Sequence, residues 1–408
     1  MDIITNIIKK HSSLLVLILG AGCFFISNIF LKTKLSTYEY GIYSLIITYL
    51  SLIYIYGLLG FEQVLLRYSH IEKNNILLTQ KICLYIILTT SILTSIISTI
   101  VFKIFYLKTG HYLLFFTTFS MIISMPIFSI LRLNKQFTLA QFVANYWKII
   151  LFFICIYMLI INQYAMDTII DLLFLTIIVF TIVLVFYFTK KIRFEFTKNT
   201  STKTIFLTFL FFFISITSFS LITFGDRFII EEKIDIQTLG SYFFLTNFLL
   251  APFNILQNYV GFKQLVEYKQ GINHKSLFTN TIKISIIGLA LGIGLCLFAF
   301  TMQRLNLVNF NFYDYITEIT LFIILGIVKL YSSIVSPAFE TNTNIKMLKL
   351  FNFSIIFSSI IFITILLYVD KLTINKVLIC LILLWFIRSI SQHILILKST
   401  KNNSVIAH

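Results

Sequence analysis

Long apolar runs, each about the length of a bilayer crossing, alternate with short polar segments from one end of the chain to the other. A helix needs about 20 predominantly apolar residues to cross the hydrocarbon core of a membrane. Runs of that kind predict spans over 12–31, 40–59, 83–105, 111–131, 143–161 and 170–188. After a basic segment at 189–203, a second set follows over 205–224, 239–260, 282–301, 318–336, 350–368 and 377–397. The predicted fold class is therefore all-α integral membrane, with about twelve transmembrane helices in two six-helix lobes, residues 1–200 and 201–408. Pro126 and Pro252 fall inside spans, where a missing N–H predicts kinks, and Pro337 is placed at the close of the tenth.

The halves resemble each other. LSTYEYGIYS (Leu35 to Ser44) aligns with IDIQTLGSYF (Ile234 to Phe243), pairing Gly41 with Gly240 and Tyr43 with Tyr242. Further on, GFEQVLLRY (Gly60 to Tyr68) aligns with GFKQLVEYK (Gly261 to Lys269) through a shared GFxQ frame. Six spans separate the matches, so the repeats are parallel, and paired repeats of this kind place a substrate between the lobes.

Composition agrees: 58% of residues are hydrophobic, 12% are charged and the mean hydropathy is +0.94, against roughly a quarter charged in an average soluble domain. The net charge of +16 sits in short segments between spans, where anionic headgroups attract it, so no nucleic-acid partner is expected. Lys9 and Lys10 precede an apolar stretch without a small-residue cleavage site, and the first span is read as retained. Cys23, Cys83, Cys155, Cys296 and Cys380 form no CxxC and have no His or Cys neighbour in sequence, so neither a disulfide nor a metal site is expected. Counting Lys and Arg by loop gives about 21 on one side against about 9 on the other, which puts both termini in the cytoplasm. The basic loops hold Arg67 and Lys73, then Arg132, Lys135 and Lys148, then the segment at 189–203, then Lys263, Lys269, Lys275 and Lys283. No HExxH, GxSxG or Walker sequence occurs and the loops are short, so neither an enzyme nor a cofactor is expected.

Charged side chains inside a membrane are costly and normally face a cavity or a partner. Lys329 lies deep in the tenth span, and Glu318, Lys329, Ser333 and Ser336 share a helix face. Lys329 either lines a cavity or snorkels to the surface. Arg388 shares a face of the last span with Ser391 and Gln392. In the seventh span Thr208, Ser215, Ser218 and Asp226 share a face leading to the Asp226–Arg227 pair, placed at the outer mouth and either solvated or functional. The second span carries Ser44, Thr48 and Ser51 and ends at Glu62, Gln63 and Arg67, with Arg67 either a topological anchor or a ligand contact. Ser13, Gly20 and Ser27, with Asn28 beside them, give the first span a small-residue packing face.

LSTYEYGIYSL followed by GLLGFEQVLLRY, and then FGDRFIIEEKIDIQTLGSYFF, resemble the oligosaccharide flippases of O-antigen and capsule biosynthesis, within the multidrug/oligosaccharidyl-lipid/polysaccharide exporter superfamily. The resemblance implies a multi-pass protein of the bacterial inner membrane whose two lobes open alternately to either side and move a polyprenyl-pyrophosphate-linked oligosaccharide across. Its implied partners are that lipid-linked sugar, membrane lipids, and a polysaccharide polymerase with its chain-length regulator. Cavity cations hold the anionic headgroup in that family, and a carboxylate couples an ion gradient. Arg67 and the Asp226–Arg227 pair match family positions; Lys329 and Arg388 are added from their depth in the membrane, giving Arg67, Lys329, Arg388 and Arg227 as substrate-binding candidates. Asp226, Glu62 and Glu318 are the ion-coupling candidates. The first span has no charged residue, so a binding cation found there in some relatives is missing. An ion-coupled drug or metabolite exporter of the same superfamily is the alternative.

Topology reporters fused within 189–203 and within 162–169 should report opposite sides of the membrane, since the first segment is basic and the second has no Lys or Arg. Reporters on one side would break the arrangement of six and six.

Overall fold

The computed structural model describes residues 2–72, 76–105, 113–191, 193–196, 202–268, 274–342 and 345–406, and from 12 onwards at the amino end for side chains. Among these the first half holds α1 (Asp2–Lys34), α2 (Thr37–Tyr56), α3 (Phe61–Tyr68), α4 (Lys81–Phe105), α5 (Leu114–Leu133), α6 (Phe137–Ile161) and α7 (Met166–Lys191). The second holds α8 (Thr202–Lys233), α9 (Ile236–Leu245), α10 (Ala251–Tyr268), α11 (His274–Arg304), α12 (Ile316–Asn342), α13 (Ile345–Tyr368) and α14 (Ile374–Ile406). Twelve stretches are long and apolar enough to cross a membrane, in the order expected from the hydropathy pattern. The second comprises α2 and α3, and the eighth comprises α9 and most of α10, joined by one π-helical turn.

The boundaries differ where local chemistry outweighs hydropathy. The segment expected as an acid-rich outer loop at 225–238 is helical through Lys233, so Asp226 and Arg227 lie within α8 and not in a mouth beyond it. Pro337 sits inside α12, which continues to Asn342. At Pro252 the missing N–H is accommodated by the π turn Thr246–Leu250 just before it. The two GFxQ frames differ in backbone: Gly60 has φ +86° at a break between α2 and α3, whereas Gly261 lies within continuous α10. Thr94 Oγ1 donates to the Gly57 carbonyl freed by the break at 2.7 Å. Three short strands were not expected: β1 (His70–Glu72) pairs antiparallel with β2 (Ile76–Thr79), which pairs parallel with β3 (Arg193–Phe196). Of the basic loop residues, Lys73, Lys198 and Lys269 lie outside those described.

By internal contacts the chain divides into two compact units, Met1–Ser220 and Leu221–His408, with the division inside α8. In the first unit α5 packs against α2, α4, α6 and α7, and α1 runs along α6. In the second, α12 packs against α10, α11 and α14. The fourth span of each set of six is thus a packing hub.

Aligned positions do the same work in both units. Ser36 caps α2, its Oγ accepting from the Glu39 N–H at 3.2 Å while Glu39 accepts from the Ser36 N–H at 3.0 Å. Asp235, aligned with Ser36, caps α9 by accepting from the Thr238 N–H at 2.6 Å. Partial burial pushes the Asp235 carboxyl up, but hydrogen bonds from the Thr238 hydroxyl and backbone outweigh it and hold the group below its ordinary value. Tyr43 and Tyr242, also aligned, are both buried and both reach the preceding span: Tyr43 donates to Asn28 Oδ1 at 3.5 Å, joined by Tyr40 at 3.2 Å, and Tyr242 donates to Asp226 Oδ2.

Small residues set the helix separations, as expected where lipid supplies no hydrophobic drive between helices. A Cβ at Gly20 of α1 would lie 2.6 Å from Asn145 Cβ of α6. Gly288 and Gly292, four apart on α11, face Leu330 and Ile323 of α12, and a Cβ at Gly326 of α12 would lie 2.6 Å from the Phe253 ring of α10. That ring is fully buried and has nowhere to turn. Gly326→Ala should therefore destabilise the detergent-solubilised protein by about 1–3 kcal/mol through overpacking. Gly294→Ala, with nothing within 4 Å of the added carbon, should be neutral. Thermal unfolding of both variants checks this, and equal effects would refute the close α10–α12 approach.

Candidate functional site

A buried polar cluster in the second unit is assembled from α8, α9, α10, α12 and α14. Asp226 of α8 is 6% exposed. One of its oxygens takes the Tyr242 hydroxyl hydrogen and the other, Oδ1, is buried without a hydrogen-bond partner. A carboxylate so placed needs compensating charge. Arg227 and Lys329 both lie within electrostatic range of it. The Arg227 guanidinium rests over the rings of Phe243 and Phe224, at 5.2 and 5.6 Å from their centroids.

Lys329 is the fourteenth of the 27 residues of α12, about 20 Å of helix from either end. Its Nζ donates to Asn254 Oδ1 of α10 at 2.8 Å and stands 5.2 Å from the Trp385 ring centroid of α14. The amine is therefore tied inward to α10 and does not snorkel. Arg388, three residues beyond Trp385, lies over the same ring at 5.2 Å, so one indole supports two cations. The seam between α12 and α14 continues polar: Tyr331 OH meets His393 Nδ1 at 2.6 Å, and Ser336 donates to Gln392 Oε1 at 2.8 Å. Ser333, expected beside them, is buried and turns back onto the Leu330 carbonyl.

Asp226, Arg227, Lys329 and Arg388 thus fall in one unit around shared neighbours. Glu318 is half-buried in the first turn of α12, eleven residues from Lys329, about 16 Å along the axis. The charges acting on Lys329 are those of Arg227 and Asp226, so Glu318 stands apart from the cluster. Glu62 and Arg67 lie in the first unit on α3. Glu62 is 1% exposed with Oε2 lacking a hydrogen-bond partner, and Arg67 is exposed in the last turn beside Tyr68. Tyr68 in turn pairs with Thr208 at 2.9 Å.

Sequence reasoning missed Asn254, which holds Lys329, and misplaced Lys148. Counted with a basic loop although inside the predicted span 143–161, Lys148 is the twelfth of the 25 residues of α6 and so lies near mid-membrane. Its Nζ donates to Asn145 Oδ1 at 3.0 Å and stands 5.6 Å from the Trp147 ring centroid. Starting that span at Phe137 instead of 143 moves Lys148 from its edge to its middle. A groove of about 440 Å³ between α5 and α7, lined by Phe116, Ile182 and Phe186 among others, has no charged residue in its wall and is separate from these polar sites.

Comparison with protein-family models, with curated proteins and with solved structures finds no match for this chain.

A double-mutant cycle tests the cluster. Asp226→Asn and Lys329→Met together should cost less stability than the sum of the single changes, with a coupling of about 0.5–3 kcal/mol, because each single change strips the other charge of compensation. Additive effects in thermal unfolding would mean that the two charges do not interact.

Proposed function

We propose that the protein is a flippase that carries a polyprenyl-pyrophosphate-linked oligosaccharide from the cytoplasmic to the outer leaflet of the bacterial inner membrane by alternating access. In this reading its halves are lobes related by a parallel repeat and both termini are cytoplasmic. The observation that carries it is the buried cluster in which Arg227 and Lys329 act on the Asp226 carboxylate and Arg388 shares the Trp385 ring with Lys329. An excess of fixed positive charge suits an anionic headgroup, whose desolvation would otherwise oppose entry to a low-dielectric path. The polyprenyl tail needs no such provision because it stays in lipid. Support also comes from the resemblance of LSTYEYGIYSL and FGDRFIIEEKIDIQTLGSYFF to the oligosaccharide flippases, and from the aligned caps and tyrosines of the two units. Asp226, with one oxygen unpartnered, is the coupling carboxylate of this scheme.

That same oxygen favours a second reading, an ion-coupled exporter of cationic compounds, which would use Asp226 as the substrate contact. The two differ in the sign of charge they require. In a host lacking its own flippase, Lys329→Ala should lower surface-glycan export about tenfold or more at unchanged protein level, the loss expected for a charge-assisted contact. Arg67→Ala should have a smaller effect, since Arg67 is exposed at a helix end. Normal export from both variants and from the double variant would remove the flippase reading. Efflux of a cationic dye that depends on Asp226 would favour the exporter.

A further inference from the structure

Lys148 is an intramembrane cation whose hydrogen-bond partner, among the described residues, is an amide and not an acid. It occupies one stripe of α6 with Gln141, Asn145, Phe152 and Cys155. That stripe turns inward: Asn145 closes on Gly20 of α1, and the Trp147 ring beside it meets Phe24 of α1 at 5.5 Å between centroids. Nearby in the same unit, Asn28 receives Tyr40 and Tyr43. An ammonium carries three donors, and Asn145 Oδ1, a neutral acceptor, takes one of them at 3.0 Å. Asn145 is itself committed, since its amide donates to the Gln141 carbonyl at 2.9 Å. Among the described residues no carboxylate acts on Lys148. Lys329 differs, because Asp226 offsets its charge.

An uncompensated charge near the bilayer centre costs roughly 2.5–3.5 kcal/mol on insertion scales, and nothing in the packing of α6 requires it, since a methionine would fill the same space. The charge is repaid only when an anion arrives. We infer that Lys148, steadied by Asn145 and the face of Trp147, is the first unit's binding site for an anionic group of the pyrophosphate class. The inference rests on the flippase reading and adds to it a headgroup contact on the half of the chain where the sequence pointed only to Arg67.

The chain has two tryptophans, and each stands beside one of the two lysines, Trp147 by Lys148 and Trp385 by Lys329. Each ring is a local reporter once the other is removed. Purified Trp385→Phe protein in detergent is titrated with farnesyl pyrophosphate, with farnesol as the uncharged control, while Trp147 fluorescence is followed. The expected result is a saturable change with farnesyl pyrophosphate and none with farnesol. Lys148→Gln should weaken the response about tenfold or more, and Lys148→Arg should retain most of it. Lys148→Met, which relieves the buried charge and keeps the volume, should show the same loss and serves if the glutamine variant does not fold. An unchanged affinity in the Gln or Met variant, or an equal response to farnesol, overturns the assignment. The reciprocal Trp147→Phe protein then separates the two ideas. If Trp385 responds and Lys329→Ala abolishes that response, the flippase reading stands without Lys148. If neither tryptophan responds, both fall.

Discussion

In a bilayer no water waits to satisfy a polar group, and every other feature of this protein follows from that. Helices answer it for the backbone, closing each N–H on a carbonyl of the same segment. Side chains answer it locally, and Ser44, Thr48 and Ser51 of α2 each return their hydroxyl to the carbonyl four residues back, at 2.6–2.8 Å. Such residues look polar in the sequence, yet their hydroxyl hydrogens are spent on their own helix. Charged side chains need a partner side chain as well, from another helix for Asp226 and Lys329 and from its own helix for Lys148. Asp226 requires Tyr242, Lys329 requires Asn254, and Lys148 requires Asn145.

This requirement ties chemistry to packing. α10 carries Asn254 to Lys329 because Gly326 lets Phe253, its neighbour in sequence, come against α12 without a Cβ between them. The π turn before Pro252 shifts the register of the same helix just ahead of Asn254. In the first unit Gly20 does the equivalent service, admitting Asn145 to α1 three residues from Lys148. A glycine and an amide thus lie next to each mid-membrane lysine, and the close approach that sets the helix spacing also sets the position of the cation.

The two units share a plan and differ in charge. Capping residues at aligned positions start α2 and α9, and aligned tyrosines reach back to the preceding helix. The acceptor of that tyrosine is an amide, Asn28, in the first unit and a carboxylate, Asp226, in the second. Lys148 of the first unit meets only a neutral amide among the described residues, whereas the acid of the second sits among Arg227 and Lys329. On the flippase reading this division gives one half an open anion contact and the other a cation–carboxylate set able to exchange partners.

The twelve spans and the capped starts of α2 and α9 were legible in the chain itself, because apolar length and an N-cap side chain act over a few residues and need no partner far away. The depth of Lys329 was legible for the same reason. Its direction was not, since one helix face is compatible with a cavity wall or with snorkelling, and Asn254, seventy-five residues away, holds the amine inside and rules out the snorkel. Hydropathy ended the seventh span at 224 because Asp226, Arg227, Glu231 and Glu232 follow closely. α8 runs on to Lys233 because Tyr242 and Lys329, both distant in sequence, make Asp226 tolerable inside. Lys148, inside the predicted fifth span, was counted with the loop before it by the same bias, a charge read as an edge. Local sequence determines where the chain can enter the membrane, and tertiary structure decides which charges may stay there, because a partner must replace the water that a charge gives up, and for Asp226 and Lys329 that partner comes from another helix.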